Sequence, residues 1–156
     1  MNKPSAALLL LLLLLFGVGI FPYAVLFGIM RSEPIYTELS FVLGLVCAIA
    51  LFIWSRRWSW SAKQLALAGM AVKLAQIPAY VIWFVLGVSF FLFGLAAAAF
   101  IVDSAAILFS GLVGLAAVRR CRAEGHLTRE AAVLHGILQF VFCADVVSAI
   151  WVYRKT

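Results

Sequence analysis

Between Leu65 and Val118 the chain runs for 54 residues with only two charged side chains, Lys73 and Asp103. A helix crosses the hydrocarbon core of a bilayer in about 20 apolar residues. The stretch is therefore long enough for two crossings joined by a tight turn. Lys73 and Asp103 each lie 15 residues from Val88. With the turn at Leu86–Phe90, the two charges fall at equal depth, near the middle of the membrane. A lone charge there is costly, and opposite charges compensate each other. The sequence thus predicts a Lys73–Asp103 pair on back-to-back helices.

The rest of the chain obeys the same constraint. Sixty-seven per cent of its 156 residues are hydrophobic and 12% are charged, where a soluble domain is about half apolar and about a quarter charged. Too little polar surface exists to cover a water-facing globule. The apolar runs are far longer than strands and lack their two-residue alternation, which leaves helices as the spanning element. The expected fold class is all-α: a polytopic helical membrane bundle forming one integral membrane domain over residues 1–156. Five transmembrane helices are predicted, over about 6–30, 34–54, 62–86, 90–118 and 131–153. The count becomes four if the first, with Lys3 ahead of eight consecutive leucines, is a cleaved signal peptide. Its apolar run continues to Met30, which favours an uncleaved span.

Helix signals punctuate the chain. Pro34 follows Glu33 as a first-turn proline. Ser61 and Gln64 have the spacing of a capping box, and Thr128 is a candidate N-cap. Pro22 and Pro78 fall inside predicted helices, where each removes a backbone donor. In the third helix, Gly69, Lys73, Gln76, Tyr80 and Gly87 share one face. Beside it, Ala71, Ala75 and Ala79 form a small-residue ridge suited to close helix approach. In the fourth, Ala96, Ala99, Asp103, Ala106, Ser110 and Gly114 form a matching stripe.

The formal net charge is +6. The basic residues cluster at predicted membrane ends, so topology and lipid headgroup contact explain them better than nucleic acid does. Trp54, Arg56, Arg57, Trp58 and Trp60 interleave as a membrane-interface belt. Eight basic residues, counting Lys3, Arg56, Arg57, Lys63, Arg119, Arg120, Arg122 and Arg129, fall on one side of a five-span chain; Arg31, Arg154 and Lys155 fall on the other. That asymmetry predicts a cytoplasmic N-terminus and an outside C-terminus; a multi-pass protein of a cell membrane is expected, with a bacterial inner membrane the assumed setting rather than one the charges indicate.

Lys73, Gln76, Tyr80, Asp103, His135, Gln139 and Asp145 form the polar inventory at membrane depth. Ionisable groups there tend to face the bundle interior and pair or line a pathway. Counted along a spanning fifth helix, His135 and Gln139 lie in the inner half and Asp145 in the outer half. Lys73 and Asp103 then bridge them into a polar ladder. Cys47 and Cys143 sit in apolar runs and read as core, Cys121 lies in a basic loop, and no cysteine or histidine spacing suggests zinc. No cofactor or metal is expected.

Two classes of function fit. The first is transport or binding of a small solute or ion through the buried cluster of Lys73, Asp103 and Asp145. The second is a non-catalytic membrane subunit, adaptor or immunity-type protein that works by packing against a membrane partner or another copy of itself. Catalysis is least supported, because no hydrolase or metalloenzyme motif is present.

Overall fold

In the computed structural model, which describes residues 3–56, 60–91 and 95–156, the chain is all-helical. Its elements are α1 (Lys3–Met30), α2 (Pro34–Trp54), α3 (Ala62–Ser89), α4 (Leu95–Ala123), α5 (Arg129–Leu138) and α6 (Ala144–Lys155). Among the described residues, four segments are long and apolar enough to cross a membrane: Leu10–Met30, Pro34–Trp54, Ala62–Ser89 and Ala96–Ala123. The fifth predicted span does not form as one rod. Residues 139–143 interrupt it, and α5 and α6 are each far shorter than a crossing requires.

The first four helices alternate in direction. A three-residue turn joins α1 to α2, and Gly17 backs onto Cys47 while Gly28 backs onto Thr37. α3 returns parallel to α1: Gln76 Nε2 donates to the Val18 carbonyl at 3.0 Å and Trp83 Nε1 to the Pro22 carbonyl at 3.2 Å. α4 then runs back along α3. Phe21 joins α1 to α2 and α4, meeting Phe41 and Phe109 edge-on at centroid distances of 4.8 and 4.9 Å, a preferred aromatic geometry.

Local sequence explains the helix ends. Ser61 Oγ accepts from Gln64 N–H, and Gln64 Oε1 accepts from Ser61 N–H, completing the capping box. Thr128 Oγ1 accepts from Ala131 N–H at the start of α5. α4 extends beyond its expected end at residue 118, to Ala123. It stops at Gly125, whose φ of +82° suits glycine. There His126 N–H reaches the Cys121 carbonyl and Gly125 N–H the Arg122 carbonyl, the two bonds of a Schellman close. Cys121 is consequently buried on α4 rather than placed in a loop.

α5 and α6 fold back on each other. His135 on α5 touches Ser148 and stacks on Trp151 of α6, at 4.2 Å between ring centroids. A continuous helix would hold residues 135 and 151 roughly 24 Å apart. The hairpin enters from the α4 end, reverses at Phe140–Cys143 and returns to the same end. The start of α1 and the end of α6 therefore lie at one end of the bundle, not at opposite ends as the five-span reading required. Arg154 and Lys155 join Arg56, Lys63, Arg119, Arg120, Arg122 and Arg129 there, and Arg31 lies at the far end.

Other expectations shift too. Trp60 is buried rather than presented at the surface, whereas Arg56 is exposed and Trp54 partly so. Arg57 and Trp58 lie outside the described residues. Of the predicted ridge, Ala71 and Ala75 have exposed side chains and only Ala79 is buried, although the Ala75 carbonyl accepts from Tyr23 OH of α1 at 2.6 Å; Gly69 makes the close approach to α4. Cys143, expected in the core, is exposed at the hairpin tip.

Candidate functional site

The register of α3 against α4 decides which polar groups meet. Gly69 faces Gly114, and Gly87 faces Ala96 and Ala99. Lys73 is therefore level with Ser110, and Asp103 with Tyr80. The predicted Lys73–Asp103 pair does not form. α3 persists to Ser89 and α4 starts only at Leu95, so the turn is centred beyond Val88. Asp103 is carried about two helical turns past Lys73.

Lys73 instead pairs with Asp145. Its Nζ lies 2.7 Å from Asp145 Oδ2, with side-chain exposures of 0% and 2%. The same ammonium donates to the Gln139 carbonyl at 3.2 Å. Gln139 ends α5 and Asp145 begins α6, so one lysine staples both arms of the hairpin. Asp145 Oδ1 accepts from Val146 N–H at 2.8 Å, using the first turn of α6 as an anion site. The pair is enclosed and well bonded, the arrangement in which attraction can offset the cost of desolvating two charges.

Apart from Asp103, the remaining candidates divide into two groups. His135, Gln139 and the unforeseen Ser148 form one network. Ser148 Oγ lies 2.9 Å from His135 Nδ1 and accepts from Gln139 Nε2 at 3.0 Å. Gln139 Oε1 is buried without a hydrogen-bond partner, packed on Gly114. Gln76 and Tyr80 form the other group: Tyr80 OH donates to Gln76 Oε1 at 3.1 Å. Ser148 was detectable in principle, being three residues from Asp145 and so on its helical face.

The expected ladder across the membrane is absent, because Asp145 returns to the level of Gln139 rather than continuing past it. A different arrangement replaces it. The hairpin covers only part of the length of α3 and leaves a cavity of about 530 Å³ above its tip. Ile77, Tyr80, Val81 and Phe84 of α3 form one wall; Phe142, Cys143 and Val146 form another, and Asp145 lies at its base. The Tyr80 hydroxyl is within electrostatic reach of both Asp145 and Asp103. Asp103 Oδ1 is buried and has no hydrogen-bond partner. Among the described residues no cluster of His, Cys, Asp and Glu is arranged to hold a metal ion.

Together these features define a small all-helical protein of membrane type: four helices fit to span a bilayer, with a folded-back hairpin stapled among them by a buried ion pair. A family model matches residues 41–156, and the chain belongs to that family, DUF6652, a family of unknown function. No curated protein and no solved structure matches the chain.

Proposed function

We propose that the chain binds and moves a small solute or ion, with Asp103 as the group that exchanges a proton or cation. The observation that carries this reading is the buried, unpartnered Oδ1 of Asp103, level with Tyr80. A carboxylate oxygen in apolar surroundings without a partner is costly, and a proton or a cation supplies the missing one. In a bilayer the α5–α6 hairpin would be re-entrant. Irregular backbone at membrane depth is tolerated where protein or an aqueous cavity surrounds it, and interrupted helices commonly frame substrate sites. In this reading Lys73 and Asp145 are the fixed charges that hold the hairpin, and the cavity above its tip receives the solute.

The second reading, a non-catalytic membrane subunit, rests on the enclosure of the Lys73 staple. A fully satisfied pair is sufficient to fix helix register without any traffic.

Reconstituted vesicles separate the two. Protein-containing vesicles loaded with a pH-sensitive dye are expected to take up protons, or sodium in a parallel assay, when an inside-negative potential is imposed. Asp103→Asn abolishes that flux while leaving the protein folded. Vesicles no leakier to either ion than protein-free controls, or an Asp103→Asn variant with undiminished flux, would overturn the transport reading.

A further inference from the structure

A second feature lies at the basic end of the bundle, remote from the hairpin cavity. The ends of α2 and α4 enclose a hollow of about 190 Å³ lined by Ser55, Arg56, Ala116, Arg119, Arg120 and Ala123. We propose that this hollow is a phosphate-binding site, filled by the phosphate of an anionic lipid headgroup or by free phosphate.

The argument begins with charge. Arg56 lies in the turn just past the end of α2 and Arg119 on α4; both line the hollow, close enough to repel each other. Neither has an ion-pair partner among the described residues. The nearby carboxylate is already committed: Glu124 accepts from the Ala62 N–H at 3.1 Å, binds Arg120 Nε at 2.8 Å and lies 3.7 Å from His126 Nε2. Two guanidiniums therefore share a concave space, and among the described residues no carboxylate pairs with either.

Geometry adds to this. The Arg119 guanidinium stands 4.7 Å over the Phe52 ring, which restrains it by a cation–π contact. A guanidinium fixed in this way presents its planar fork to phosphate with little ordering left to do. Ser55 Oγ donates to the Phe52 carbonyl, so the arginines supply the donors. Helix dipoles alone do not account for the pattern. Arg120 and Arg122 already occupy the last turn of α4, where cations meet the negative end of the dipole. Basic pockets between helices at a membrane face are well suited to lipid phosphates.

The test uses the full chain in neutral detergent, with thermal unfolding followed at constant ionic strength. Phosphatidylglycerol, phosphatidylcholine, inorganic phosphate or chloride is added in turn. The melting temperature is expected to rise by several degrees with phosphatidylglycerol over phosphatidylcholine, or with phosphate over chloride. The first result alone assigns a lipid headgroup; the second alone, or both together, assigns a site open to free phosphate. The Arg56→Gln, Arg119→Gln double variant loses the rise, while the charge-matched Lys63→Gln, Arg129→Gln variant keeps it. If the first double variant does not fold, Arg119→Lys serves, since it keeps the charge and loses the fork; it should at least halve the rise. The site is refuted if neither phosphate source raises the melting temperature. It is equally refuted if the Lys63/Arg129 variant loses as much as the Arg56/Arg119 variant, or if Arg119→Lys leaves the rise intact.

Discussion

Gln139 and Asp145 sit on opposite arms of the α5–α6 hairpin and meet on one ammonium group, that of Lys73. The backbone carbonyl comes from the arm that enters and the carboxylate from the arm that leaves. Removing the lysine therefore releases both arms and strands a buried carboxylate. Lys73→Met is expected to destabilise the fold by about 3–5 kcal/mol, the usual consequence of breaking one side of a buried pair. Adding Asp145→Asn should recover a substantial part of that loss. Unfolding of the two variants and the wild type in detergent gives the comparison; equal stability of single and double variants would contradict a coupled pair.

Glycines on α4 make room for the hairpin. A Cβ at Gly114 would strike the Gln139 side chain, and one at Gly111 would strike the Phe140 ring. Gly114→Ala should cost about 1–3 kcal/mol through overpacking. A Cβ at Gly19 on α1 would meet no neighbouring helix among the described residues, so Gly19→Ala should stabilise by roughly 0.5–1 kcal/mol. Opposite signs for these two chemically identical substitutions, read as shifts in melting temperature, test the packing of α4 against the hairpin.

The fold-back of α6 makes a topological prediction. In a background with Cys47, Cys121 and Cys143 replaced by serine or alanine, cysteines at Arg129 and Thr156 should react with an impermeant maleimide from one side of the membrane. A cysteine at Ser32 should react from the other. Labelling of the Arg129 and Thr156 sites from opposite sides would mean that residues 129–155 cross the bilayer.

At the basic end, Glu124 is expected to contribute to acid sensitivity. Burial raises its pKa, but the Ala62 N–H, Arg120 and His126 outweigh this and hold its carboxyl below the usual carboxylate range. A depressed pKa means the folded state binds the proton less readily than the unfolded one. The stabilisation is complete above the unfolded value of about 4.3 and is lost as pH falls through the lower folded value. The group is partly exposed, so the effect is modest and weakened by salt. Wild-type melting temperature should therefore fall more steeply with acidification below about pH 4.3 than that of Glu124→Gln. Parallel curves would remove Glu124 from the account.

Much of the architecture is legible in residue order, for physical reasons. Hydrocarbon length and apolar runs reveal the four long helices, and Ser61, Thr128 and Pro34 mark three starts because capping is local chemistry. The hairpin is not legible. Residues 139–143 contain neither glycine nor proline, and Cys143 adopts a φ of +64° without the residue type that favours it. The reversal coincides with Lys73, Gly111 and Gly114, all on other helices, and no local signal in 139–143 announces it. The Lys73–Asp103 pairing failed on register: shifting a helical turn by a few residues moves every opposing side chain. Lys73, Gln139, Asp145 and His135 do lie in one connected region. Only their partners were unforeseen.

A hairpin that stops partway along α3 makes the molecule unequal across its thickness. The end carrying the basic residues includes the cross-section of two extra helices, and the opposite end does without them. Such a body is a wedge. In a bilayer such a body would displace more lipid from one leaflet than from the other.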